Sequence, residues 1–170
     1  MKTGIQSKTK PLLNRYVSFL KDCFEDNLLS AAVFGSFARD TAKFPGSDID
    51  ILMVVKGMDE LSFSERLKQT MKAERKLFET VEYVKFSDDF GWPPSIQEII
   101  LTPEEIRAHP PILLDLTTDV LIFYDTGILR EELEKMRLGL KELGAKRVRT
   151  GDSWFWILKP DLRLGEEVEL

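Results

Sequence analysis

Apolar positions along the chain fall into two rhythms, one helical and one extended. Leu12, Leu13, Tyr16, Val17, Leu20, Cys23 and Phe24 recur at helical spacing and predict an amphipathic helix ahead of the first strand. Residues 29–34 are then a short apolar run ending at Gly35, and residues 51–55 are a second, entered through Asp48-Ile49-Asp50. Ser62 and Glu65 form a capping box that opens one long helix to about Phe86, with Leu67, Met71, Leu77, Phe78, Val81 and Val84 expected in the core. The turn signal Gly91-Trp92-Pro93-Pro94 precedes a third strand at 95–101. Its alternation puts Ile96, Glu98 and Ile100 on one face and Ser95, Gln97, Ile99 and Leu101 on the other.

Beyond it, Thr102-Pro103-Glu104-Glu105 is another capping box with proline at the first helical position, and that helix must end near Pro110 and Pro111. His109 reads as a helix-end residue. A strand at 119–124 and an amphipathic helix at 128–143, closed by Gly144, complete the scaffold. Alternation on either side of Gly151-Asp152 predicts a β-hairpin that packs Trp154 and Trp156 on the core. The acidic segment 165–170 is expected to be a short strand or tail. The fold class is therefore α/β (α+β): a small mixed sheet with flanking helices. Residues 1–126 form the core, 127–170 a helix and hairpin packed on it, and the whole is a single domain.

Candidate chemistry concentrates between the first two strands. Gly35 lets the backbone turn sharply and a ligand approach closely. Ser36 adds a hydroxyl and a backbone N–H at the start of a helical turn, where free N–H groups suit phosphate. Arg39 and Lys43 lie one and two turns on, ready for charge-assisted contacts to phosphate oxygens. In a strand, Asp48 and Asp50 share one face roughly 6.6 Å apart, at about 3.3 Å rise per residue. Two neighbouring carboxylates on a strand repel each other unless a cation sits between them. Magnesium accepts such hard oxygen ligands together with substrate phosphates.

Gly35-Ser36, followed after eleven residues by Asp48-Ile49-Asp50, resembles the signature of the DNA polymerase β-type nucleotidyltransferase superfamily. The form Phe-Gly-Ser-x-Ala-Arg with Ser-Asp-Ile-Asp is closest to its small prokaryotic and archaeal members, the minimal nucleotidyltransferases. The resemblance implies that Gly35 and Ser36 hold a nucleoside triphosphate, ATP being the expected one, while Asp48 and Asp50 bind two magnesium ions. It also implies a third carboxylate from a neighbouring strand. Glu98 is the candidate by position, with Asp115 and Asp119 in reserve. Nucleotidyl transfer to a hydroxyl acceptor follows: a protein, an RNA end or a small molecule. Asp40 departs from the pattern, since family members often carry glycine there, and it places a negative charge near the phosphate pocket unless its side chain turns away to cap a helix. Minimal nucleotidyltransferases are often paired with a small helical protein of the HEPN type, which some of them adenylylate. A catalytically weak, antitoxin-like nucleotide-binding module therefore stands as the second reading.

Composition narrows the setting. The 170 residues are 43% hydrophobic with net charge −5, enough for one good core but without a broad basic surface for nucleic acid. The local cationic cluster Lys146-Arg147-Val148-Arg149 leads into Trp154-Phe155-Trp156, where stacking of a base is the alternative to core packing. Phe90 and Trp92 offer the same alternative in the 86–94 loop. One cysteine and one histidine point away from disulfides and zinc, and the single thiol suits a cytoplasmic setting. No apolar run reaches the ~18–20 residues that a bilayer requires, and the basic N-terminus lacks an apolar signal region.

Overall fold

Strands β1 (Leu28–Phe34) and β2 (Ile49–Val55) form the centre of a four-stranded sheet, and both are buried along nearly their whole length. This explains why the sequence shows them as largely apolar runs rather than alternating ones. The structure, a computed structural model, describes residues 4–44, 46–151 and 153–162. Asp152 of the expected hairpin turn and the segment 165–170 lie outside the described residues.

The order across the sheet is β3 (Ile96–Leu101), β2, β1, β4 (Leu121–Asp125). β1 runs antiparallel to both β2 and β4, whereas β2 and β3 are parallel. Parallel pairing needs a crossover, and two helices supply it: α3 (Phe63–Phe78) and α4 (Val81–Phe90). With α1 (Ile5–Phe24) they cover one sheet face, where Val33, Ile49, Ile51 and Met53 meet Leu12, Leu13, Tyr16, Leu20 and Leu77. The other face carries Ala32, Phe34, Leu52 and Val54. It packs on α5 (Pro103–Arg107), α6 (Ile112–Leu116) and α7 (Ile128–Glu142) through Ile106, Leu113, Leu116, Leu129, Leu133 and Met136. A separate hairpin, β5 (Lys146–Thr150) and β6 (Ser153–Ile157), follows α7.

The single long helix expected from Ser62 to about Phe86 is in fact two. Thr80 interrupts it: its Oγ1 accepts the Tyr83 N–H at 3.2 Å and caps a new helix. The break turns Phe86 into the core, beside Phe44 and Phe90, and leaves Met71, Phe78, Val81 and Val84 exposed. Of the six expected core residues only Leu77 is fully buried, with Leu67 packed partly against it. Phe90 thus belongs to an aromatic cluster under the sheet, and Trp92 is exposed.

One buried cation ties the crossover to the sheet. The Arg66 guanidinium donates to the carbonyls of Met58, Leu61 and Ile100 at 3.0–3.1 Å and makes a two-pronged contact with Glu105 at 2.6 and 2.9 Å. Glu105 is also the capping-box residue of α5, accepting the Thr102 N–H at 2.8 Å. Both capping boxes expected from the sequence form, at Ser62/Glu65 and Thr102/Glu105.

Candidate active site

Antiparallel pairing sets Phe34 against Asp50, so the chain leaving β1 and the chain entering β2 meet at one end of the sheet. Between them lies α2 (Gly35–Ala38), a single helical turn. Gly35 has φ +71°, a conformation that L residues avoid, and a Cβ on it would stand 2.2 Å from Asp50 Oδ2. The glycine is therefore required twice over: for the turn, and for the space that the Asp50 carboxylate fills. Ser36 is half-buried, and its carbonyl accepts the Thr41 N–H at 2.9 Å, closing the turn. Lys43 N–H donates to Ser47 Oγ at 2.8 Å and Ser47 N–H donates back to the Lys43 carbonyl at 3.0 Å, returning the loop to Asp48. The Lys43 side chain is exposed on that loop.

Asp50 is the one charged residue of β2, half-buried at the strand's start, while Asp48 is exposed just ahead of it. Burial pushes the Asp50 carboxyl up, the charge of Asp48 pushes it further, and Arg39 opposes both. The two aspartates thus repel each other at the glycine turn. Among the described residues no group of three or more His, Cys, Asp or Glu side chains converges to cage a metal. A pair of carboxylates open on one side nevertheless fits magnesium, which completes its shell with water and phosphate oxygens.

Glu98 does not join this pair, contrary to the sequence expectation. In the parallel register Gln97 stands beside Asp50, and Glu98 beside Ile51. Glu98 therefore faces α1 and α3, where Tyr16 Oη donates to its Oε1 and Thr70 Oγ1 lies 2.5 Å from its Oε2. The physical reason is its flanking isoleucines: Ile96 and Ile100 pack into the core of that face and carry Glu98 with them. Burial raises the Glu98 carboxyl. Hydrogen bonds from Thr70 and Tyr16 to the carboxylate oppose that rise.

The reserve carboxylates lie close to the site but are engaged by other groups. Asp119 Oδ2 is 4.0 Å from Arg39 Nη1 and 2.9 Å from Arg147 Nη2, and Asp115 Oδ1 accepts the Trp154 indole N–H at 3.1 Å. The guanidinium carbons of Arg39 and Arg147 lie 4.3 and 4.2 Å from the centre of the Trp154 ring. Sequence reasoning had Arg147 and Trp154 as one basic-aromatic cluster, without a signal tying it to Arg39. Asp40 has φ +56°, a left-handed backbone conformation that glycine adopts more readily than a residue with a Cβ. Its Oδ1 accepts the Gln6 N–H at 3.2 Å, so its charge caps the N-terminus of α1 instead of facing the turn. His109 does follow a helix end, with φ +49°, and its Nε2 lies 2.9 Å from Glu132 Oε2.

A groove of about 660 Å³ runs between α1 and β4, past Lys10, Asn14 and Ile122, and does not include Asp48 or Asp50 in its walls. The aspartates instead stand on an open sheet end. Among the described residues no helix is long and apolar enough to cross a membrane.

No curated protein sequence matches the chain. Among solved structures, the spectinomycin adenyltransferase AAD(9) of Enterococcus faecialis, determined with ATP and spectinomycin, is similar at 17% identity and TM-score 0.53, over 79% of this chain and 66% of that one. A protein of Sulfolobus solfataricus described as a candidate nucleotidyltransferase aligns at 23% identity and TM-score 0.46, over 74% and 90%. A chain of the complex between the tri-AMPylated HEPN toxin of Shewanella oneidensis and its MNT antitoxin aligns at 15% identity and TM-score 0.46, over 80% and 92%. The nucleotidyltransferase domain family matches residues 13–112, which take in α1 from residue 13 onward, the Gly35-Ser36 turn, both aspartates and the crossover to β3, and the chain belongs to that family.

Proposed function

We propose that this nucleotidyltransferase moves a nucleoside monophosphate from a nucleoside triphosphate, ATP first among them, to a hydroxyl acceptor in a magnesium-dependent reaction. The acceptor oxygen attacks the α-phosphorus, the bond to the bridging oxygen breaks, and pyrophosphate leaves. The observation that carries this reading is the closure of the Asp50 carboxylate against the Cβ-free face of Gly35, with Asp48 close enough to raise its pKa. That arrangement concentrates negative charge where a phosphate-binding turn begins, and a metal-bound nucleotide is the ligand that reconciles the two.

Asp48 and Asp50 would hold magnesium. The N–H groups of the Gly35-Ser36 turn, with Arg39 and Lys43, would receive the phosphate oxygens. Bound magnesium would supply a lowered pKa for the attacking hydroxyl and charge neutralisation for the leaving pyrophosphate. The test is calorimetric titration of ATP with magnesium into the wild type and into Asp48→Ala and Asp50→Ala. Heat of binding in the wild type, lost in both variants with their melting transitions intact, supports the site. Retention of binding in either variant overturns it.

A second reading has its own observation: Gln97, not a carboxylate, stands beside Asp50 on β3. A site lacking the third acid binds nucleotide and transfers poorly, as an antitoxin-like module would. A HEPN-type helical partner and a cytoplasmic setting belong to this reading as much as to the first. Binding of ATP without transfer, relieved on adding a partner co-purified from the source cell, would favour it.

A further inference from the structure

Arg39 comes from the family-matched segment, whereas the groups that hold it come from beyond residue 112. Its guanidinium lies 4.3 Å from the Trp154 ring centre on the C-terminal hairpin and 4.0 Å from Asp119, ahead of β4. The ring is itself fixed: its indole N–H donates to Asp115 at 3.1 Å, and Arg147 covers it at 4.2 Å while pairing with Asp119 at 2.9 Å. An arginine at the end of a four-residue turn has many rotamers, and ordering it costs side-chain entropy. A planar aromatic face and a carboxylate confine it before any ligand arrives. Asp119 is shared between the two guanidinium groups, at 4.0 Å from Arg39 and 2.9 Å from Arg147, so Arg39 is the less tightly paired of the two.

We propose that the C-terminal hairpin completes the nucleotide site, with Trp154 as a positioning residue that holds Arg39 for the triphosphate. This rests on the nucleotide-site reading above and adds to it a role for a hairpin outside the family-matched segment. Trp154 acts through Arg39, not through the base.

The experiment is a double-mutant cycle on nucleotide affinity, read by calorimetry with ATP and, in parallel, inorganic triphosphate. Trp154→Leu keeps apolar packing and lacks an aromatic face; it should weaken both ligands about five- to tenfold, the loss expected for one cation–π contact in a partly desolvated setting. Trp154→Phe restores the face and should stay within about twofold of wild type. In an Arg39→Ala background, Trp154→Leu should add less than about twofold, because the residue it positions is gone. Additive losses in that background overturn the proposal by marking Trp154 as generally structural. Weakened ATP binding with unchanged triphosphate binding also overturns it, since the ring would then contact the base. Failure of the wild type to bind either ligand overturns the site reading and this proposal together, whereas ATP binding indifferent to Trp154→Leu overturns this proposal alone.

Discussion

Replacing Gly35 by alanine isolates the close approach on which the site is built. The new Cβ would sit 2.2 Å from Asp50 Oδ2 and 3.1 Å from its Cγ, but 3.5 Å from its Cβ, an ordinary contact. The collision is therefore with the carboxylate alone. Two costs separate cleanly. Holding alanine at φ +71° costs about 1 kcal/mol whatever residue 50 is. Driving the Asp50 carboxylate from its place costs about another 1 kcal/mol in an off-rotamer side chain or a shifted backbone. At about 2–4 °C per kcal/mol for a chain of this size, Gly35→Ala should lower Tm by about 4–8 °C. In an Asp50→Ala background only the backbone cost remains, and the drop should shrink to about 2–4 °C. Asp50→Ala alone should hold stability within about 0.5 kcal/mol or raise it, since it removes a half-buried carboxylate repelled by Asp48. Differential scanning calorimetry of the four proteins reads the cycle. Equal drops in both backgrounds would refute the reasoning, because the carboxylate would then not be filling the space beside Gly35.

Other consequences follow from the same contacts. Burial raises the Glu98 pKa, so its contribution to stability is fully present below the unfolded value of about 4.3 and is lost as pH rises through the folded value. Urea unfolding of wild type and Glu98→Gln should accordingly diverge in favour of the glutamine as pH rises from about 4 towards neutrality, and parallel curves would show that Glu98 does not titrate in the fold. Arg66→Lys cannot reproduce the contacts to three carbonyls and Glu105, and should cost about 2–4 kcal/mol by urea denaturation; a loss under about 1 kcal/mol would deny the network its role. Asp40→Gly keeps the positive φ and gives up one cap, so it should fall within about 1 kcal/mol of wild type, while Asp40→Ala should cost about 1 kcal/mol more than Asp40→Gly. Identical melting of those two variants would show that the positive φ at residue 40 carries no backbone cost.

Local signals carried well from sequence to structure. The apolar runs, both capping boxes and the Gly35-Ser36 turn report interactions within a few residues, and each took its expected form. What failed was non-local. Whether Gln97 or Glu98 stands with Asp50 depends on strand register, which alternation alone leaves open, since a one-residue slip exchanges the two faces. The isoleucines beside Glu98 were the available clue, because a residue between two core side chains at i±2 shares their face. The helix break at Thr80 was hidden by an apolar periodicity that continued across it. The meeting of Arg39 with Trp154 joins positions 115 residues apart and leaves no mark in any local pattern.

Nucleotidyl transfer at the Gly35–Asp50 turn is tested by offering α-labelled and γ-labelled ATP to the purified protein, with magnesium and with cell extract as acceptor source. Stable label should appear on an acceptor from the α-labelled nucleotide only, and Asp48→Ala should abolish it. Acceptor labelled from γ-labelled ATP, or α-label transfer undiminished in Asp48→Ala, would contradict nucleotidyl transfer at this turn.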